Sequence, residues 1–520
     1  MGTGPFHIPG DQITSASTTS VGQVFTQTAH SYAGQMAVDD GVHALTYGEF
    51  NQRVNRLANA MLAMGVHQHD RIALLSRNSI PYLEVMLACA KIGAIACCQN
   101  WRLLTRELSH CISLVSPVVI FAESEFHGML SESEAGTDPG LCKVIGFGEE
   151  YEQLLARSAA AEPQLAAGGE NGLLILYTSG TTGLPKGAFI SHRAALFRAL
   201  VYASELHVPA NDTFFAWSPL FHIGASDHSL ATLMRGGRVF VVNSFRPEVI
   251  LPALERNCTQ WLSLLPGVTD RVIEAMKSIR PNLLGVGIVG GMADLISADQ
   301  VAEISELFQA PYLDSFGSTE TGLAPGTGAL IPIGVKPKRL LKRQTGFCEV
   351  RLVDEAGQEV PDGRPGEVII RGPALFSGYV QNPVANEESF RGGWFHMGDV
   401  MIRTPGLGTL EFVDRLKYLI KSGGENIYPA ELERVILTDP RVDEVSVVRQ
   451  KNAKWGEVPV AFIARNDESL TQDMVLAACL ELLPKFKSPK AVHFIQLDEF
   501  PRGSTGKIKR ADLEKLLPAD

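Results

Sequence analysis

Alternation between two hydrophobic periods is what most narrows the fold open to this chain. Val54, Leu57, Met61 and Leu62 recur at helical spacing, residues 71–75 form a short apolar run of strand length, and residues 80–92 return to the helical period. Strand-like runs follow at 117–121, 173–177, 238–242 and 286–289, with a helix-patterned stretch at 297–308. Apolar strands alternating with helices suit a mostly parallel sheet covered on both faces, so the expected class is α/β. With 520 residues the chain is too long for one core. After Gly366 the texture becomes β-rich, with short runs at 367–371 and 409–413, and a charged, turn-rich segment spans 414–424. Beyond it the pattern predicts a helix at 429–438, strands at 445–449 and 458–464, a helix at 472–483 and a last strand near Val492. A boundary at Asp414 therefore separates a large α/β domain with a β-rich subdomain, residues 1–414, from a small α+β domain, residues 415–520.

The formal net charge of −11 gives a field that repels polyanions, which argues against a nucleic-acid partner. The eight cysteines form no CxxC pair and mostly sit in apolar runs, as reduced core thiols of a cytoplasmic protein do. No secretory signal, myristoylation site or run of about 18 apolar residues is visible, so no integral membrane contact is expected.

The most informative segment is Tyr177-Thr178-Ser179-Gly180-Thr181-Thr182-Gly183-Leu184-Pro185-Lys186-Gly187, directly after an apolar strand. Its glycines let the backbone approach a ligand closely, the hydroxyls supply donors, and Lys186 adds positive charge, which together suit a phosphate chain. It is not a Walker A loop, because Pro185 precedes Lys186 and Gly187 follows it. Gly285, Gly287 and Gly290 spell GxGxxG, but within an apolar strand-like run, where a dinucleotide fingerprint does not belong. His222 and His228 have no third metal ligand at sensible spacing.

The phosphate-loop segment resembles the signature of the adenylate-forming superfamily, and further matches follow in that family's order: Pro219-Leu220-Phe221-His222-Ile223-Gly224, Asp314-Ser315-Phe316-Gly317-Ser318-Thr319-Glu320, Gly393-Trp394-Phe395-His396-Met397-Gly398-Asp399, Asp414-Arg415-Leu416-Lys417, Lys421-Ser422-Gly423-Gly424-Glu425-Asn426 and Pro501-Arg502-Gly503-Ser504-Thr505-Gly506-Lys507. Phe316 replaces the family's usual Tyr, and Met397 its usual Thr. The resemblance implies an acid:CoA ligase that uses ATP, Mg²⁺ and coenzyme A, acting as a monomer or homodimer. A carboxylic acid first yields acyl-AMP and pyrophosphate, and the CoA thiol then takes the acyl group. An adenylating enzyme serving a carrier protein, or a luciferase-like relative, is the alternative. An amino-acid-activating domain would carry an Asp near the place of His222; Asp227 lies close enough to keep that reading open.

On this resemblance Thr178, Ser179, Gly180, Thr181, Thr182, Gly183 and Lys186 hold the β- and γ-phosphates, while Glu320 and Thr178 bind the magnesium ion. Phe316 stacks on adenine, Asp314 lies near its amino group, and Gly291, Ser315, Gly317, Ser318 and Thr319 complete the nucleotide wall. Asp399 accepts from both ribose hydroxyls, with Arg415 assisting. Lys507 bridges the carboxylate and the α-phosphate. His222, Ile223, Gly290, Ser315, Gly317 and Gly322 border the acyl pocket, whose small residues point to a roomy, mainly apolar space for a bulky, ring-bearing or medium-chain acid. Lys417 takes the family's hinge position, about which the small, mobile domain rotates between half-reactions. Gly423 and Gly424 line the pantetheine path, and Trp455, Phe486 and Lys487 meet the CoA nucleotide.

Overall fold

The computed structural model describes residues 18–133, 142–164, 167–178, 184–422, 425–452, 454–503 and 507–517. Two compact units emerge: one runs to Pro337 and takes in Thr345–Cys348 and Arg371–Glu388, and the other comprises Lys338–Gln344, Glu349–Ile370 and Ser389–Asp520.

The first unit is α/β. Its six-stranded sheet runs in the order Lys143–Gly146, Val119–Ala122, Arg71–Leu75, Ile95–Cys98, Gly172–Thr178, Lys186–Ser191, parallel throughout except for the last strand. The helix Ile80–Ile92 begins where the Ser79 hydroxyl accepts from the Tyr82 amide and stops at Gly93, whose φ of 77° ends the helical turn. Almost all of it is buried, which explains why it is apolar on every side. A second sheet of the unit orders Ala44–Thr46, Met36–Asp39, Arg238–Val241 and Thr213–Ala216. A third runs Thr259–Leu262, Val286–Val289 and Tyr312–Ser318 in parallel, with Gly322–Ile331 returning antiparallel to Tyr312–Ser318. Gly287 lies inside the strand Val286–Val289, against Gln260, so the GxGxxG string opens no strand-to-helix phosphate turn.

The second unit holds a β-rich sheet, ordered Lys342–Arg343, Thr409–Arg415, Phe395–Arg403, Pro365–Arg371, Glu349–Val353. Its C-terminal part is α+β: Glu425–Ile427, Ile420–Ser422, Gly456–Arg465 and Val442–Asn452 pair in that order, and Ala491–Phe494 adds in parallel to Gly456–Arg465. Leu432 and Ile436 of the helix Pro429–Ile436 and Val475 and Cys479 of the helix Gln472–Leu482 pack with Val447 and Ile463 into one apolar core. All eight cysteines are free; Cys89, Cys97, Cys98, Cys111 and Cys479 are buried, and Cys258 is exposed. Among the described residues no helix is long and apolar enough to cross a membrane.

One buried charge ties the helix Ile80–Ile92 to the helix Tyr47–Ala63. Lys91 is fully buried, its ammonium donating to Asn51 Oδ1 and Asn55 Oδ1, both at 2.7 Å, and pairing closely with Glu162. A buried cation stripped of its counter-ion is costly, so Glu162→Ala should lower unfolding free energy by about 2 kcal/mol, allowing for the partial exposure of Glu162. Denaturant titration checks this; an unchanged midpoint would show that the two asparagines suffice.

Candidate active site

The loop Ser179–Gly183 lies outside the described residues, but its two flanks are fixed. Thr178 ends the strand Gly172–Thr178, Lys186 begins the antiparallel strand Lys186–Ser191, and the register sets the two residues opposite each other. The Lys186 ammonium stands 4.2 Å from the ring centroid of Tyr379, a cation–π contact. Tyr379 in turn donates its hydroxyl to Glu320 Oε1 at 2.9 Å. A cation from the loop's far flank and a carboxylate from another sheet thus share one aromatic side chain.

Glu320 sits in the turn 319–321 that joins the antiparallel strands Tyr312–Ser318 and Gly322–Ile331. No helix begins there. The turn is tightly tied: Ser318 N–H donates to Thr321 Oγ1 at 3.0 Å, and Phe376 N–H to the Glu320 carbonyl at 2.9 Å. On the strand leading into it Asp314 and Ser315 are buried, while Phe316, Gly317, Ser318 and Thr319 are half-buried. Gly290 and Gly291 are pinned from behind, Trp261 Nε1 donating to the Gly290 carbonyl at 2.8 Å and Tyr312 Oη to the Gly291 carbonyl at 3.3 Å.

The small residues do not leave the space expected of them. A Cβ at Gly290 would stand 2.2 Å from the Tyr312 ring, and one at Gly317 1.9 Å from the Gly322 carbonyl oxygen. At Gly322, φ is +68° and a Cβ would meet Cγ and Cδ of Arg198 at 3.0 Å. These three glycines admit neighbouring protein atoms, and their size is no argument for a roomy pocket. His222 and Ile223 are half-buried at the start of the helix Ile223–Leu233. Deeper in that helix Asp227 pairs with Arg198 at 3.3 Å, and its burial pushes the carboxyl up to about 6 against the pull of that guanidinium. That guanidinium gives Asp227 a protein cation for its partner through Oδ2. His228, buried among Tyr202, Phe214 and Trp261, bonds the Gly224 carbonyl through Nδ1 and is pushed down to about 4 by desolvation, so it is neutral at ordinary pH. Among the described residues no group of three or more His, Cys, Asp or Glu could hold a metal ion, a finding compatible with a magnesium ion that takes one carboxylate and otherwise phosphate and water.

The remaining candidates belong to the second unit. Asp399, 1% exposed, faces Arg415 across the pair Phe395–Arg403 and Thr409–Arg415, with Arg415 Nε 3.0 Å from Asp399 Oδ1. The strand carrying Asp399 is anchored by His396 Nδ1, which shares Glu367 Oε2 with Arg391 at 2.9 and 2.7 Å. Gly503 N–H donates to the Lys507 carbonyl at 2.8 Å. Desolvation, then the Arg415 and Lys417 charges, hold the Lys507 ammonium below the ordinary lysine value against the pull of Asp399, although the residue as a whole keeps solvent-exposed surface. Three cations beside one carboxylate make a local positive field suited to a phosphoryl anion. Lys417 lies in the short 3₁₀ turn Leu416–Tyr418, its ammonium over the Tyr418 ring. Trp455 and Phe486 are exposed, whereas Lys487 is held by both oxygens of Glu431 at 2.8 and 2.6 Å. Gly423 and Gly424 lie outside the described residues.

Two participants escape sequence reasoning. Tyr379 follows Glu320 by 59 residues with no spacing to link them, and Arg198 reads as one residue of a helical pattern.

The sequence matches the AMP-binding enzyme family over residues 25–380 and the AMP-binding enzyme C-terminal domain over residues 431–507. It is 33% identical over 484 residues to a feruloyl-CoA synthase of Amycolatopsis sp, covering 92% of this chain and 95% of that protein. An indoleacetate–CoA ligase of Aromatoleum aromaticum is 31% identical over 493 residues, covering 93% and 95%. Among solved structures, a fatty acyl CoA synthetase of Mycobacterium tuberculosis superposes with a TM-score of 0.77 at 28% identity, covering 96% of this chain and 99% of that one. ATP-bound MatB of Rhodopseudomonas palustris reaches a TM-score of 0.84 at 25% identity, covering 96% and 99%. The chain therefore belongs to the AMP-binding enzyme family, the adenylate-forming superfamily, in its CoA-synthetase branch. It is an AMP-forming acid:CoA ligase.

Tyr379→Phe keeps the ring under Lys186 and removes only the hydroxyl on Glu320. A hydrogen bond to a charged group is worth about 1.5 kcal/mol or more, so if Glu320 holds the magnesium ion, the Mg²⁺ concentration for half-maximal adenylation should rise about tenfold. Metal titration of pyrophosphate release reads this out; an unmoved curve would leave Tyr379 without a part in metal binding.

Proposed function

We propose that this ATP-dependent acid:CoA ligase acts on a ring-bearing or similarly bulky hydrophobic carboxylic acid. The observation that carries the reading is the match along more than nine-tenths of the chain to ligases named for feruloyl and indoleacetate acyl groups. A 2-succinylbenzoate–CoA ligase of Listeria monocytogenes, 30% identical over 477 residues, adds a third ring-bearing acid.

The chemistry assigned to the site starts from electrostatics. The substrate carboxylate is itself the nucleophile, so the protein must steady charge on the α-phosphate and on departing pyrophosphate. Thr178 and Lys186 flank the loop assigned to the β- and γ-phosphates. Glu320, oriented by Tyr379, offers the carboxylate for Mg²⁺, which when bound would neutralise phosphate charge. Asp399 and Arg415 are assigned to the ribose. Lys507, a cation beside Arg415, Lys417 and Asp399, is assigned to the carboxylate and the α-phosphate as they join. Lys417 is assigned to the hinge. In the second half-reaction the CoA thiol attacks the acyl carbonyl and AMP leaves.

Losing a charged transition-state contact costs roughly 3 kcal/mol, on the order of a hundredfold. Lys507→Ala should impose that loss on acyl-AMP formation while sparing thioester formation from preformed acyl-AMP, and Lys417→Pro should do the reverse by fixing φ. Single-turnover assays of each half-reaction distinguish them; equal losses in both would reject the assignments.

An acid panel tests substrate class. Pyrophosphate release should be greatest with arylpropenoic, arylacetic or benzoic acids and least with acetate or propionate; the opposite order would refute the ring-bearing reading. Gly322→Leu should depress turnover of every acid by a similar factor, since positive φ and the Arg198 side chain oppose the new group whatever the substrate. Loss confined to bulky acids would restore Gly322 to the pocket wall.

A further inference from the structure

Arg198 stands out as a buried cation that the ligase chemistry leaves unused. It lies on the helix His192–Glu205, is 4% exposed, and spends its guanidinium on three separate segments. Nε donates to the Ala374 carbonyl at 2.8 Å, and one terminal nitrogen meets Asp227 Oδ2 at 3.3 Å. The other donates to the carbonyls of Thr319 and Glu320, at 3.2 and 2.9 Å. The Glu320 carbonyl also receives the Phe376 amide, so the turn and the segment just beyond Ala374 are stitched twice. Gly322, where a Cβ would press on Arg198 Cγ and Cδ, leaves the passage through which the side chain reaches the turn.

We infer that Arg198 is a positioning residue for adenylation: with Asp227 as its counter-ion, its guanidinium fixes the 319–320 turn, and thereby the aim of the Glu320 carboxylate, against the helix Ile223–Leu233 and the segment at Ala374. The inference rests on the reading of Glu320 as the carboxylate at the phosphate end. A planar fork of five donors meets acceptors on three sides at once, which a lysine ammonium in the same place cannot do. Asp227 makes the burial of that cation tolerable, and the pair is costly enough to desolvate that a purely packing role would be served as well by an apolar side chain of similar volume.

The test uses the full chain carrying Arg198→Met, Arg198→Lys, Asp227→Asn, Glu320→Gln and the double variant of Arg198→Met with Glu320→Gln. Pyrophosphate release is measured against Mg²⁺, ATP and acid, with thermal unfolding alongside. Misaiming a group by about an ångström can cost on the order of a hundredfold, and Arg198→Met should show a kcat loss of that order with the Mg²⁺ midpoint raised and the KM for acid little changed. Because Arg198 acts through Glu320, the double variant should be hardly slower than Glu320→Gln alone. Arg198→Lys keeps a cation beside Asp227 and should stay folded while still raising the Mg²⁺ midpoint, which holds the test open if Arg198→Met unfolds. Asp227→Asn should shift the Mg²⁺ midpoint in the same direction by a smaller factor. Multiplicative losses in the double variant, or an unmoved Mg²⁺ midpoint in both arginine variants, would overturn the inference. Full activity in Glu320→Gln would instead overturn the reading of Glu320, and the positioning role with it.

Discussion

Two anions must be brought together before this enzyme can do anything else. A carboxylate and a triphosphate repel each other by ~4 kcal/mol per pair of unit charges at about 4 Å in a protein-like dielectric. Each unit of the chain holds candidate positive charge within its own framework. In the first, Lys186 rests on Tyr379, at the edge of a hairpin register that starts with Thr178. In the second, Arg415, Lys417 and Lys507 lie within electrostatic reach of one another and of Asp399. Neither arrangement depends on a protein nucleophile.

Holding charge in place demands rigid supports, and these are mostly unremarkable residues. Tyr379 orients Glu320 through one hydroxyl, and Glu367 braces the strand of Asp399 by accepting from His396 and Arg391. Trp261 and Tyr312 fasten the buried Gly290 and Gly291 by their carbonyls. Gly290 and Gly317 are needed because the Tyr312 ring and the Gly322 carbonyl already occupy the places of their missing side chains.

Much of the framework was legible in the sequence because local signals carried it. The helix Ile80–Ile92 and the strand Arg71–Leu75 match the hydrophobic pattern residue for residue, and the C-terminal helices differ from their expected ends by one or two positions. Short strands such as Met36–Asp39 and Thr213–Ala216 were not singled out. For the candidate site, ordered motifs pointed to Glu320, Asp399 and Lys507 as candidates, whereas Tyr379 and Arg198 contact Glu320 across 59 and 122 residues of sequence. Glycine proved the least transparent letter: the sequence says that no side chain is present, and only the fold says what fills the gap. Lys487 teaches the same point, because the carboxylate of Glu431 that engages it is distant in sequence.

Acyl-AMP as the intermediate between ATP and thioester is the claim on which every assigned role depends. A single turnover with acid labelled by heavy oxygen in its carboxylate, ATP and CoA tests it, with the products resolved by mass spectrometry. One labelled oxygen per turnover should appear in AMP, because the oxygen that attacks the α-phosphate stays on AMP when the thiol displaces it. Label in inorganic phosphate, or thioester formed with unlabelled AMP, would contradict an adenylate intermediate.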